Sequence, residues 1–209
     1  MGTNTYNMTE KDFFYTIDKT AVAEFKDRGS RFIATAFPVT TKEDCKANLA
    51  SVKSNHPKAS HYCFAYRLGL DGNQFRAVDD GEPSGTAGKP ILAQIDSKEL
   101  TNTLIIVVRY FGGSLLGVPG LINAYKTAAS LVLQVTPVIQ KQVEVNYQLQ
   151  FDYTMINDIM LIIKQYNCSI RNQEMQLFCH INAGIAISRL PEVLYRLKEL
   201  QQVEVKKIG

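Results

Sequence analysis

The chain has 209 residues, of which 45% are hydrophobic and 21% are charged, and its formal net charge is +3. This composition is ordinary for a globular protein and supplies core material for one large domain or two small ones. The apolar runs are too short to cross a bilayer, which excludes a membrane-spanning helix, and the weak positive charge by itself neither indicates nor excludes nucleic-acid binding.

The chain begins with polar residues and lacks the apolar stretch of a signal peptide, so a cytoplasmic protein is expected. Residues 1–137 are predicted to form a mixed domain of strands and helices. In chain order the patterns predict a hairpin of strands Thr20–Phe25 and Arg31–Val39, a helix from Lys42 to about Ser54, strands Ser60–Leu68 and Gln74–Val78 joined by the turn Asp71-Gly72-Asn73, a short helix Ile91–Ile95, a buried strand Leu104–Tyr110 and a helix from about Leu121 to Leu133.

A second domain is expected over residues 138–209, after Pro137. Its patterns predict strand Val143–Phe151, a helix from Asp152 to about Tyr166, strands Cys168–Arg171 and Met175–Ala183, a helix from Ser188 to about Leu200 and a closing strand Val203–Val205. This β-α-β-β-α-β order is the split βαβ, ferredoxin-like pattern. The predicted fold class of the whole chain is therefore α+β with two domains.

Two glycine-rich segments carry most of the functional signal. The first glycine loop, Asp79–Pro90, contains Gly88-Lys89 like a phosphate-binding P-loop, but Pro83 stands where that motif needs glycine and Pro90 where it needs Ser or Thr. A nucleotide-hydrolysing loop is therefore not expected. The mixture of glycine, acid and hydroxyl side chains instead predicts an ordered functional turn. Its loop-shaping residues are Asp79, Asp80, Gly81, Glu82, Ser84, Gly85, Thr86 and Gly88.

The second glycine loop, Val107–Gly120, follows the buried strand and leads into a helix. Its glycines bring backbone N–H groups around the start of that helix, and helix N-termini attract anions. The candidate residues for binding an anion or a nucleic acid are Arg109, Lys89, Lys126, Gly112, Gly113, Gly117 and Gly120. Arg109 could instead pair with Asp79, Asp80 or Glu82 and tie the two loops together, and the two roles are compatible.

His61 and Cys63 stand two apart on a predicted strand and therefore face the same side. They could begin a metal site or a Cys–His nucleophilic site, but no third ligand stands at a useful spacing and the four cysteines show no CxxC pairing. A partly buried histidine beside a packed free thiol is favoured, and no metal or cofactor is expected. If the chain is an enzyme, the candidate acid–base groups are His61, Asp80 and Glu82.

At these residues the chain resembles the IMPACT family, and in particular its bacterial YigZ-like branch. Asp79–Pro90 matches the family segment DDGEP-[SA]-GTAGKP, and Val107–Tyr125 matches VVRYFGG-x2-LG followed by GL-x2-AY. The His-x-Cys pair, His61 and Cys63, also matches. These motifs are long and specific. The resemblance extends over nearly the whole chain, because the branch also has a C-terminal domain similar to a ferredoxin-like domain of a translation elongation factor.

The resemblance implies an N-terminal fold similar to the second domain of ribosomal protein S5. It also implies an association with translation, since eukaryotic relatives restrain a stress kinase by competing for its activator. No catalytic residues are established for the family, so the resemblance implies none here. The chain departs from the family pattern at Val78, at Val118-Pro119 and at Asn123. These changes remove flexibility and a positive charge, which weakens the phosphate interpretation more than the protein-binding one.

The expected function is a non-enzymatic, translation-linked regulator that binds RNA, the ribosome or a ribosome-associated protein through the face bearing the two glycine loops. No membrane partner is expected, and the oligomeric state is not predicted. Two alternatives stay open: an enzyme acting on a phosphorylated or peptide-like small molecule, and a pure protein-interaction module.

Overall fold

The computed structural model describes residues 12–70 and 73–208, which form two compact units. The N-terminal unit spans Phe14–Lys141, and the C-terminal unit comprises residues 142–208 together with Asp12 and Phe13. The chain passes from one unit to the other a few residues after Pro137. No helix in these described ranges is long and apolar enough to cross a membrane.

The N-terminal part of the chain combines strands and helices around a five-stranded antiparallel sheet. Its elements are β1 (Phe13–Ile17), β2 (Ala21–Asp27), β3 (Ser30–Pro38), α1 (Lys42–Asn55), β4 (His61–Leu68), β5 (Gln74–Val78), α2 (Gly88–Ser97), β6 (Thr103–Tyr110), α3 (Gly117–Val135) and β7 (Val138–Gln142). The strand order in the large sheet is β2-β3-β6-β4-β5, and β1 pairs with β7 in a separate two-stranded sheet.

Both predicted hairpins form. β2 and β3 are joined by the two residues Arg28 and Gly29, which both have positive φ (45° and 79°), the conformation that a tight hairpin turn requires. β4 pairs with β5, while Asp71 and Gly72 of the second predicted turn lie outside the described residues. β6 lies in the centre of the sheet and is buried on both faces, as its continuous apolar run predicts.

Helices cover both faces of this sheet. α2 and α3 pack over one face with a core that includes Phe32, Val107 and Tyr125, and α1 packs over the other face against Ile33 and Ile106. α1 begins at a capping box between Thr41 and Asp44, in agreement with the predicted start.

α2 is longer than the predicted Ile91–Ile95 and begins at Gly88. The extra turn includes Pro90, which the first turn of a helix tolerates because backbone N–H groups there have no intrahelical partner.

The C-terminal unit has the predicted β-α-β-β-α-β order. Its elements are β8 (Glu144–Asp152), α4 (Ile156–Gln165), β9 (Ser169–Glu174), β10 (Phe178–Ala186), α5 (Leu190–Glu199) and β11 (Val203–Lys207). The strands form one antiparallel sheet in the order β11-β8-β10-β9. Asp152 caps a short 3-10 turn that precedes α4 rather than α4 itself. All four cysteines of the chain are free thiols, and Cys168 is half-buried while the others are buried.

Candidate functional site

A buried ion pair between Glu82 and Arg109 joins the two glycine loops. Glu82 Oε1 accepts hydrogen bonds from Arg109 Nη1 at 2.6 Å and from the Tyr125 hydroxyl at 2.8 Å. The two charged residues are only 9% and 5% exposed. Buried charges need additional hydrogen bonds to offset their lost hydration. Tyr125 provides one of them, and Ser30 Oγ, 3.4 Å from Arg109 Nη2, provides another.

Of the three acids that could pair with Arg109, the structure therefore selects Glu82. The guanidinium of Arg109 also lies 5.5 Å from the ring centroid of Phe32 and 5.6 Å from that of Phe111. The Arg109 guanidinium is therefore largely inaccessible to an external anion. The exposed candidate cations are Lys89, in the first turn of α2, and Lys126, on α3.

The first glycine loop is organised around the carboxylate of Asp79. It accepts backbone hydrogen bonds from Gly85 at 2.8 Å, Ala87 at 3.0 Å and Gly88 at 2.8 Å. Burial acts to raise the pKa of the Asp79 carboxyl, but the three N–H donors outweigh burial and hold this pKa below its ordinary value. Gly88 is required for close approach, since an added Cβ would lie 2.4 Å from the backbone nitrogen of Val78.

Replacing Asp79 by asparagine is expected to lower the free energy of unfolding by about 1.5 to 3 kcal/mol near neutral pH, because the amide loses the charged acceptor. The folded pKa of Asp79 lies below its ordinary value of 3.8, so its stabilisation is present above that pH and is lost as the pH falls towards the folded pKa. In urea denaturation the difference between wild type and Asp79→Asn should therefore narrow below about pH 4. Asp18→Asn, at an exposed acid, is the control. A difference that does not depend on pH would contradict this role.

His61 contacts the first glycine loop through both ring nitrogens. Nδ1 lies 2.8 Å from the carbonyl oxygen of Asp80, and because a carbonyl only accepts, Nδ1 carries the proton. Nε2 lies 3.9 Å from Glu82 Oε1. The carboxylate of Asp80 accepts instead from the backbone N–H of Tyr62 at 2.7 Å. Of the three acid–base candidates, His61 and Glu82 thus bring their side chains together, and Asp80 takes part through its backbone.

Cys63 is buried beside the Glu82–Arg109 ion pair. We call Ser30, Cys63, Glu82, Arg109 and Tyr125 the buried cluster. The Sγ atom of Cys63 lies 2.8 Å from the carbonyl oxygen of Asp79 and 3.3 Å from the hydroxyl of Tyr125. Burial raises the pKa of the Cys63 thiol well above its usual range. A nucleophilic cysteine needs a thiolate, so this thiol serves packing and hydrogen bonding. Within the described ranges, no three His, Cys, Asp or Glu residues are grouped as a metal ion would require.

The second glycine loop leads into α3 as predicted, but the helix begins at Gly117 rather than near Leu121. The N-terminus of α3 has no side-chain cap. The backbone N–H of Gly112 donates to Ser30 Oγ at 3.2 Å, which fixes the loop against the β2–β3 turn. Gly113 and Gly117 have positive φ (87° and 69°), and Gly120 lies in the first turn of the helix.

Large apolar side chains are exposed along the second glycine loop and the start of α3. We call this set the loop-face patch: Phe111 is 50% exposed, Leu115 85%, Val118 51% and Ile122 39%. Val118 and Ile122 are four residues apart and so lie on one side of the helix.

The sequence patterns do not predict this patch, nor do they place Tyr125 and Ser30 in the buried cluster. The helical spacing gives no signal for the patch. Val118 precedes the buried Tyr125 and Ala129 by seven and eleven residues, and Ile122 precedes the buried Ala129 and Leu133 by the same spacings. Both therefore share the stripe that is buried further along α3, and the pattern predicts burial for them.

Comparison with known proteins places these features in a family. The model of the Impact N-terminal domain matches residues 28–133, which include both glycine loops. IMPACT family member YigZ of Escherichia coli (strain K12) is 34% identical, over 88% of this chain and 90% of its own length. IMPACT family member YvyE of Bacillus subtilis (strain 168) is 35% identical, over 70% of this chain and 67% of its own. A crystal structure described as a hypothetical protein is 30% identical with a TM-score of 0.75, and the match covers 95% of this chain and 98% of that one. The chain therefore belongs to the IMPACT family, in the YigZ-like branch.

Proposed function

We propose that this protein is a translation-linked regulator that binds a ribosome-associated protein through the loop-face patch. The observation that carries the proposal is the exposure of Phe111, Leu115, Val118 and Ile122 on one continuous stretch of chain. Contiguous exposed apolar surface marks interaction sites, and large apolar side chains form the cores of protein interfaces. Membership of the IMPACT family supports the link to translation.

Contact with RNA has weaker support on this face. Phosphate binding requires several cations at the surface. Arg109 is buried against Glu82, and Lys89 and Lys126 are the exposed candidates that remain. The buried cluster itself gives a rigid support for the two loops, which suits a surface whose shape a partner protein recognises.

The order β11-β8-β10-β9 in a β-α-β-β-α-β chain supports a ferredoxin-like domain at the C-terminus. We propose that the N-terminal unit is the S5-domain-2-like domain implied by the family. We also propose domains 1–137 and 138–209, whose described residues differ from the two units only at Asp12, Phe13 and residues 138–141.

The proposal is tested by sedimenting ribosomes from cell extract with the protein, with and without nuclease. Leu115→Asp is expected to lower the co-sedimenting fraction by about tenfold or more, because it places a charge in the centre of an apolar contact. Val135→Asp, at a residue 60% exposed near the other end of α3, is the matched control. When nuclease treatment degrades the RNA and releases the ribosome, the partner protein should stay bound to this protein.

The opposite pattern would contradict a protein partner. In that pattern the Leu115→Asp variant still co-sediments with ribosomes, whereas the double variant Lys89→Ala with Lys126→Ala does not. Binding would also decrease steeply as the salt concentration rises. That result would support nucleic-acid binding.

One observation favours a second candidate function, acid–base catalysis on a small molecule. His61 Nε2 lies 3.9 Å from Glu82 Oε1, and the imidazole is partly exposed. Turnover found in a metabolite screen, and lost in a folded His61→Ala variant, would support catalysis. Turnover retained by that variant would exclude His61 as the base.

A further inference from the structure

A groove of about 570 Å³ lies on the sheet face that carries α1. Residues alternate between the two faces of β3, so this groove is on the opposite side of the sheet from the Glu82–Arg109 pair. Its floor includes Val22 of β2 with Ile33 and Phe37 of β3, and Val52 of α1 forms part of its wall. Its volume falls in the range of about 300 to 1,000 Å³ that is typical of sites for small ligands.

The groove exists because one helix cannot cover this face. A helix with its side chains is about 10 Å across, whereas five strands spaced about 4.8 Å apart span roughly 20 Å. α1 contacts β4 and the core residues of β6 and β3, and among the described residues no helix covers β2 on this face. Val22 consequently remains 59% exposed in the floor of the groove.

One end of the groove has an excess of positive charge. The carboxylate of Glu24 lies 2.7 Å from Arg31 Nε and 3.3 Å from Lys26 Nζ, so two cations share one carboxylate. Glu24 and Arg31 line the groove, and Lys26 lies on the same face of β2 as Glu24. The groove therefore offers an apolar surface that leads to a net positive end.

We propose that this groove binds a small amphipathic anion, with its apolar body against Val22, Ile33 and Phe37 and its acidic head group beside Arg31 and Lys26. An anion there would compete with Glu24 for these two cations. This site is separate from the loop-face patch, and its ligand is a small molecule rather than a protein.

The test uses two fluorescent probes with the same ring system. One is 1-anilinonaphthalene-8-sulfonate, and the other is N-phenyl-1-naphthylamine, which lacks the sulfonate. Wild-type protein is expected to bind the sulfonate probe more tightly. Arg31→Gln should weaken binding of the sulfonate probe by about tenfold and leave binding of the neutral probe unchanged, because only the anion bonds to the guanidinium. Glu24→Gln should strengthen binding of the sulfonate probe by removing the competing carboxylate.

Val22→Glu should weaken binding of both probes, since it places a charge in the apolar floor. Leu161→Glu, at a residue 61% exposed on α4, controls for added charge, and Leu115→Ser controls for binding at the loop-face patch. Circular dichroism melts establish that each variant is folded. The proposal is overturned if wild type binds neither probe, if either control weakens binding as much as Val22→Glu does, or if Arg31→Gln affects both probes equally.

Discussion

Gly112→Ala is expected to destabilise the N-terminal unit strongly. A Cβ at this position would lie 1.9 Å from the carbonyl carbon of Gly29 and 2.2 Å from the backbone nitrogen of Ser30. These are backbone atoms of the β2–β3 turn and cannot rotate away as a side chain can, so the second glycine loop must separate from the turn. The expected loss is more than about 3 kcal/mol in the free energy of unfolding, measured by urea denaturation followed by circular dichroism.

Gly113→Ala separates this effect from backbone strain. Gly113 has a φ of +87°, and an added Cβ there would meet nothing within 4 Å. The substitution should cost only the penalty of a left-handed conformation, about 1 to 2 kcal/mol. Equal losses at the two positions would show that conformation, and not close approach to Gly29, is what requires glycine in this loop.

Arg109→Met is expected to destabilise the protein by about 3 to 5 kcal/mol, because it leaves the carboxylate of Glu82 buried without its cation. The double variant Arg109→Met with Glu82→Gln should recover part of this loss, since no buried charge then remains. Urea denaturation at neutral pH measures both changes.

A stable Arg109→Met variant would contradict the structural role of the pair. Arg109 would then again be a candidate for binding an external anion. If the expected loss is found, Arg109→Ala is a poor test of nucleic-acid binding, because reduced binding would then follow from the altered fold. Lys89 and Lys126 are the better positions for that test, since both are exposed.

The main elements of the fold could be predicted from local patterns. The alternation of β8, the buried run of β6 and the hairpin around Arg28-Gly29 each depend on neighbouring residues alone, and the structure confirms them. Local patterns do not predict β1 and β7. Phe13–Ile17 has no alternation, and Val138–Gln142 is largely exposed, so each becomes a strand only by pairing with the other.

The candidate site was predictable in part. The glycine loops stand out in the sequence, but the choice of Glu82 over Asp79 and Asp80 as the partner of Arg109 depends on how the first glycine loop turns. The carboxylate of Asp79 accepts hydrogen bonds from three backbone N–H groups, and that of Asp80 accepts one. Glu82 is the remaining acid of the loop, and its carboxylate bonds to Arg109. Tyr125 joins them from α3, 43 residues further along the chain, and no local pattern signals such a contact.

The buried thiol of Cys63 makes the motion of the first glycine loop measurable. Cys63 is fully buried and bonded to the backbone of Asp79, so a thiol reagent reaches it only when this loop separates from β4. In a variant that keeps Cys63 as its sole cysteine, the rate of modification relative to that of an unfolded chain equals the fraction of time spent in the open form. The cluster beneath the proposed binding face thus contains a reporter of how often the first glycine loop opens.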